Sequence, residues 1–188
     1  RSYGDVALNE GNLVLDFSRM NTILDWVPST GLVVCEPGVR LEQLWRHFLK
    51  SGYWPPVVSG TLHTTMCGLV AANAHGKNNW KVGTIGEHVE CLTLVTPSGE
   101  VLELDEGDDT GLFEACIGGF GWLGAFSKIT LRMKKVHSGS LDVMPFSSNS
   151  LREMFSDFER CNAAGWDYVV GWIDAFATGR MLGRGQIH

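Results

Sequence analysis

GFGWLG at residues 119–124 decides the fold class of this chain, because it matches the GxGxxG pattern of dinucleotide-binding βαβ units. That pattern works only with a strand before it and a helix after it, since the pyrophosphate rests on the helix N-terminus. Here the order is reversed. GLFEACIG (111–118) reads as a helix and precedes the motif, and ITLRM (129–133) reads as a strand and follows it. A doubly wound parallel fold is therefore excluded. Two roles remain for the glycines: close approach of backbone to a planar ligand, and a tight helix-to-strand turn.

Upstream of the motif, VECLTLVTPSGEVLELD (89–105) is two alternating runs about a Pro97-Ser98-Gly99 turn, the pattern of a β-hairpin. LVLDF (13–17), ILDWV (23–27) and LVVCEP (32–37) predict three short strands. VRLEQLWRHFLKSG (39–52) predicts a helix, with Leu41, Leu44, Trp45 and Phe48 on one face and Gly52 as its stop. Residues 67–74 are small and apolar enough for a short helix, and FSKITLRMKKV (126–136) is a strand. Beyond residue 139 the chain offers a strand at 140–146, an amphipathic helix at 147–165 with Leu151, Phe155 and Phe158 on one face, and a strand at 166–176. This mixture predicts an α+β fold in two parts, 1–138 and 139–188. Two strands seldom suffice for a stable sheet, so the second part is expected to be the beginning of a larger domain.

A net charge of −6 with 44% hydrophobic residues excludes a nucleic-acid binder and a disordered chain. No apolar run reaches the roughly 20 residues a membrane span needs. The five cysteines are odd in number, lack any CxxC pair and sit among apolar neighbours, which predicts reduced core thiols and a cytoplasmic protein. A leader or membrane contact outside this stretch would move that expectation to the periplasm or a membrane surface. The six histidines lack HxxxH spacing, so no metal site is expected. Asp16, Asp25 and Asp174 alternate with apolar residues and are expected to face solvent.

Chemistry concentrates in SGTLHTTMCGLVAANAHGKNN (59–79). Gly60, Thr61, Thr65, Gly68 and Gly76 offer small side chains, hydroxyls and accessible amides. Ala71, Ala72 and Ala74 leave room, and His75, Lys77, Asn78 and Asn79 add donors. Lys77 supplies a cation suited to an anionic ring or oxyanion. The same stretch reads equally as a surface loop after a small-residue helix. RSYGD (1–5) has the composition of an anion-binding loop, with Tyr3 inside it.

RSYGD, SGT…HGKN and GGFGWLG in this order resemble the FAD-binding domain of the vanillyl-alcohol-oxidase (PCMH) type of FAD-linked oxidoreductases, nearest its branch that oxidises C2 of decaprenylphosphoryl-ribose. The resemblance implies a pyrophosphate loop formed by Ser2, Tyr3 and Gly4. It implies a phosphate and ribityl side formed by Gly60, Thr61, Thr65, Gly68 and Ala71, and flavin contacts from His75 and Gly76, with Gly121 and Phe126 on the GGFGWLG side. Lys77 and Tyr3 would be the catalytic residues facing the substrate. Arg1 stands where many relatives carry the histidine that bonds to flavin, so FAD is expected to be non-covalent. The chain departs from the pattern at Cys67, Phe120, Asn79 and Trp80.

The activity implied is hydride transfer from a secondary alcohol of a sugar or polyol to flavin, with a partner reductase completing an epimerisation. A further glycine turn and a first β-α-β unit would precede Arg1, and most of the substrate domain would follow His188. The chain is thus expected to be an N-terminally truncated, inactive fragment whose exposed strand edges favour a homodimer. Two alternatives are a sugar-lactone or polyol oxidase using oxygen, and a flavin-free remnant or interaction domain.

Overall fold

Residues 8–188 are described in the computed structural model, and they form two compact units, 8–76 with 84–139 and 77–83 with 140–188. Residues 77–83, which the sequence places in the first domain, group with the second unit. The content is mixed helix and antiparallel sheet, an α+β fold.

The first unit is built on a five-stranded antiparallel sheet. Its strands are β1 (Ile23–Val27), β2 (Leu32–Cys35), β4 (Val89–Val95), β5 (Val101–Asp105) and β6 (Ala125–Arg132), in the order β1-β2-β6-β4-β5. A short pair, β3 (Tyr53–Trp54) with β7 (Lys134–Lys135), lies apart from it. Period-two patterning puts Val33 and Cys35 of β2 and Ile129 and Leu131 of β6 in the core. Against them pack α1 (Leu41–Phe48), through Leu41, Leu44 and Phe48, and α2 (Met66–Ala71), through Met66, Leu69 and Val70. Gly52 ends the α1 segment in the left-handed region, as its sequence predicts. The 89–105 hairpin turns at Gly99, with φ +86°.

Helix α4 (Leu112–Cys116) is started from a distance. Asp108 Oδ2 accepts the amides of Leu112 (2.9 Å) and Phe113 (3.0 Å). The Thr110 hydroxyl and then these amides hold the Asp108 carboxyl below its usual 3.8.

Residues 13–17 do not form the expected strand. Leu13 is 86% exposed, Asn9 Nδ2 donates to its carbonyl, and Asp16 Oδ1 accepts the Ser18 amide in a local turn. An apolar run becomes a strand only beside a ladder partner, and none of the described strands pairs with it.

The second unit has β8 (Phe146–Ser148), α5 (Leu151–Ala163), β9 (Gly171–Ile173) and β10 (Gly185–Ile187), with sheet order β8-β10-β9 and both pairs antiparallel. It also holds α3 (Asn79–Val82). Residues 140–145 are outside any strand, only 171–173 of the expected 166–176 strand pairs, and β10 was not expected. The buried face of α5 is also shifted: Met154, Asp157 and Cys161 are buried, whereas Phe155 is 64% exposed and Leu151 is exposed. Asp157 tolerates burial because Ser148 Oγ donates to it at 2.6 Å and Arg160 pairs with it at 2.9 Å. Ser150 caps α5, its Oγ accepting the Glu153 amide, and Glu153 Oε2 accepts the amide of Asn149 just before the cap.

All five cysteines are free, and burial pushes the Cys35 thiol up to about 12. Asp174 organises a turn, accepting the amides of Phe176 and Ala177 and pairing with Arg184. Among the described residues, no helix is long and apolar enough to cross a membrane.

Candidate functional site

The loop before α2 is fixed by backbone bonds to the start of α1. Leu41 N donates to Thr64 O (3.1 Å), Glu42 N to Leu62 O (3.0 Å), and Arg40 and Thr65 form an isolated antiparallel bridge. Amides that open a helix lack internal partners. The amides of Met66 and Cys67 find them in Val39 O (2.8 Å) and Pro37 O (2.9 Å), just beyond β2. Within the loop, Ser59 Oγ and Thr64 Oγ1 lie 3.2 Å apart, and His63 N donates to Thr61 Oγ1.

At the other end of α2 the glycine motif provides the closure. Gly118 N donates to Val70 O (3.0 Å) and Phe120 N to Ala71 O (2.8 Å), so the turn between α4 and β6 caps the carbonyl end of α2. Gly124 has φ +150°, and a Cβ there would overlap Val95 O. Gly118 and Gly121 have φ near +80°. The motif is thus a tight helix-to-strand turn, with the helix before it and the strand after it.

Asn73, absent from the sequence-based candidates, follows α2 with φ +42° and accepts the Gly86 amide on Oδ1 at 3.0 Å. Asparagine just past a helix end is the signal that could have pointed to it. Ile85 N donates to Ala74 O, and His75 bridges Thr84.

Met66, Leu69 and Val70 point α2 inward, which leaves Thr65, Gly68, Ala71 and Ala72 on its outer side. Gly68 and Gly60 are exposed, and neither has a left-handed φ. A Cβ at Gly60 would meet nothing within 4 Å, and one at Gly68 only Thr65 Oγ1 at 3.3 Å. Glycine in a helix interior costs about 1 kcal/mol relative to alanine. Neither a left-handed backbone nor packing among the described residues accounts for glycine at these two positions. The donor chemistry of Thr61 and Thr65 beside bare backbone suits the phosphate and ribityl part of a dinucleotide.

Of the other predicted site residues, Ala71 is half-buried, His75 and Gly121 are exposed, and Gly76 is buried. The backbone bond from Phe120 to Ala71 ties the Gly121 turn to α2. Phe126, on β6, has a side chain 6% exposed that lines a narrow space with Leu94, Cys116, Gly121 and Leu123. A bulge opposite Thr93 and Leu94 breaks the period-two alternation of β6 and turns Phe126 inward with Ile129 and Leu131, which a motif match could not reveal. Lys77 is exposed and belongs to the second unit. Arg1, Ser2, Tyr3 and Gly4 lie outside the described residues.

The sequence model of the FAD binding domain matches residues 1–105, more than half of the chain. The chain belongs to the FAD-binding domain family. Its cofactor is FAD, and the resemblance to FAD-linked oxidoreductases stands. This FAD-binding domain is 36% identical over all 188 residues to a decaprenylphosphoryl-β-D-ribose oxidase of Mycolicibacterium smegmatis, of which it covers 41%. It is 30% identical over 128 residues to a D-lactate dehydrogenase of Anaerostipes hadrus, a match covering 65% of this chain and 27% of that protein. Among solved structures, an alkyldihydroxyacetonephosphate synthase superposes with a TM-score of 0.73 over 84% of this chain and 29% of that one. At 19% identity, that likeness is one of fold. The chain spans 41% or less of the length of these relatives.

Proposed function

We propose that this FAD-binding domain serves an oxidoreductase that oxidises a secondary alcohol of a sugar or polyol, with C2 of a polyprenylphosphoryl ribose as the leading substrate. The observation that supports the substrate is the 36% identity to the ribose oxidase over all 188 residues. FAD, when bound, would supply two-electron, hydride-accepting chemistry.

The chain's own residues do the rest. Gly60, Thr61, Thr65, Gly68 and Ala71 present hydroxyls and uncovered amides to the phosphates and ribityl chain, and His75 and Gly76 border the ring system. Lys77 holds a cation on the substrate side, where it stabilises negative charge as the alcohol proton departs. Tyr3 orients the substrate. Arg1 forms no histidyl link, so the cofactor is held without a covalent bond. The product ketone requires a second protein, a keto-sugar reductase, to complete an epimerisation. Strand edges left open by the first unit's sheet favour self-association.

Titration of the purified chain with FAD, followed by acid precipitation, tests the cofactor part. Tight binding with all colour in the supernatant is expected; colour in the pellet refutes the non-covalent assignment, and no binding would make the chain a flavin-free domain. The substrate part is tested on the FAD-loaded full-length enzyme that carries this domain, without oxygen, by adding a polyprenylphosphoryl ribose, D-lactate or a sugar lactone in turn. Bleaching of the visible flavin band by the ribose compound alone is expected. Bleaching by the lactone, with rapid recovery in air, would favour an oxygen-using lactone oxidase instead.

A further inference from the structure

Phe120, in the turn between α4 and β6 of the first unit, lies in the left-handed region at φ +51°. Among the described residues the other non-glycine with a positive φ is Asn73. Asparagine tolerates that region because its short polar side chain bonds locally, and Asn73 Oδ1 does so by accepting the Gly86 amide. Phenylalanine has no polar side-chain atom to do the same. A bulky residue with a left-handed backbone is an outlier, and it persists only where the surrounding structure over-determines it.

The surroundings here do so through the backbone. Phe120 N donates to Ala71 O at 2.8 Å, Gly118 N to Val70 O at 3.0 Å, and Trp122 N to Gly119 O at 3.0 Å. Residue 120 is thus bolted to the carbonyl end of α2, and glycine or asparagine would meet the demand of this backbone with less strain. The chain carries an aromatic ring there instead. That ring gains little from the fold, because it is 57% exposed. It is rooted beside the outer side of α2, where the side chains of Thr65, Gly68, Ala71 and Ala72 are all small. His75 and Gly76, which border the ring system in the function proposed above, follow the same end of α2, tied to it by the Ala74 N to Leu69 O bond of 2.9 Å.

We propose that Phe120 is a cofactor-contacting residue, its ring forming a wall for the isoalloxazine of FAD at the carbonyl end of α2, with the strained backbone aiming it. This assignment rests on FAD lying along the outer side of α2, as proposed above. A planar heterocycle is recognised by offset or edge contact with an aromatic ring, and a ring with a fixed root has less freedom to lose when the contact forms. Folding and cofactor binding therefore make opposite demands on residue 120: the first favours a small or polar residue, the second an aromatic one.

The test compares Phe120→Asn, Phe120→Tyr and Gly68→Ala with the parent, in the full-length enzyme that carries this domain. Three quantities are read: the affinity of the FAD-free protein for FAD, the visible absorption band of the bound flavin at saturation, and the thermal midpoint without FAD. Phe120→Asn should weaken FAD binding about 5- to 150-fold, the range that follows from removing an aromatic ring stacked on a base. It should also shift the flavin band, and leave the FAD-free midpoint unchanged or raised. Phe120→Tyr keeps the ring and should match the parent in affinity and band position. Unchanged affinity in Phe120→Asn overturns the contact. Weaker binding with an unmoved flavin band puts the ring against another part of the cofactor and overturns the isoalloxazine assignment. A lowered midpoint in FAD-free Phe120→Asn shows that the fold itself uses the ring, which also overturns the proposal. Gly68→Ala keeps the two levels apart: if it weakens FAD binding while Phe120→Asn does not, the site on α2 stands without Phe120, and if it binds FAD as the parent does, the placement along α2 fails.

Discussion

Gly68→Ala separates what the protein needs from what its cofactor needs. In the FAD-free chain, alanine in the interior of α2 gains up to about 1 kcal/mol of helix propensity. Against that, its Cβ would sit 3.3 Å from Thr65 Oγ1, so the hydroxyl has to retreat by a few tenths of an ångström and give up its 3.5 Å contact with Cys67 Sγ. The net stability change should fall between zero and about +1 kcal/mol, a rise in thermal midpoint of no more than about 4 °C for a chain of this size. FAD binding should move the other way. A methyl placed into space that a ligand fills costs about 1–3 kcal/mol, or about 5- to 150-fold in affinity. The assay is thermal unfolding without FAD alongside a fluorescence titration with it, and Gly60→Ala, whose Cβ meets nothing, serves as the parallel case. If Gly68→Ala destabilises the FAD-free chain by more than about 1 kcal/mol, the protein itself requires the glycine. If it binds FAD as tightly as the parent, the outer side of α2 is not part of the cofactor site.

Gly38→Ala should behave oppositely, losing about 3 kcal/mol or more in denaturant unfolding whether or not FAD is present, because its Cβ would overlap Phe17 O and lie 2.6 Å from Met20 O. Ser148→Ala leaves the buried Asp157 short of a 2.6 Å hydrogen bond and should cost about 1–3 kcal/mol in the same assay. Asp108 has a carboxyl held below 3.8, so its contribution is fully present above that value and lost as pH falls through the lowered one; exchange of the Leu112 and Phe113 amides should accelerate there before β4 and β6 loosen. Cys35 is buried with its thiol raised to about 12, whereas Cys67 is half-buried. Alkylation near pH 8 followed by mass mapping should therefore modify Cys67 first and Cys35 only on unfolding.

Local signals carried much of this architecture. The Pro97-Ser98-Gly99 turn, the face of α1 with its Gly52 stop, and the helix-then-strand order around residues 119–124 each depend on near neighbours, and each was legible. What failed depended on partners distant in sequence. Residues 13–17 have a strand's composition but no ladder beside them, while Gly185-Gln186-Ile187 has no strand pattern and yet lies at the centre of a sheet. Glycine is required at 185 because a Cβ there would overlap the backbone carbonyl of Trp172 on β9. The buried face of α5 differs from that of its apolar residues because Asp157 is buried, held by Ser148 and Arg160, and Ser148 lies on a different element. At the site, Gly60, Thr65, Gly68 and Ala71 were legible as small residues in one short stretch. The inward turn of Phe126 was not, because a bulge opposite Thr93 and Leu94 breaks the period-two alternation along β6.

The sheet order also sets a timetable for synthesis. β2 pairs with β6 in the register Leu32–Arg132 to Cys35–Ile129, so its second neighbour emerges roughly a hundred residues after it. At about 5–20 residues per second, the β1–β2 ribbon waits about 5–20 s on the ribosome with one edge open. The sheet of the first unit cannot close from its N-terminal side alone, because β2 lacks its second neighbour until β6 arrives.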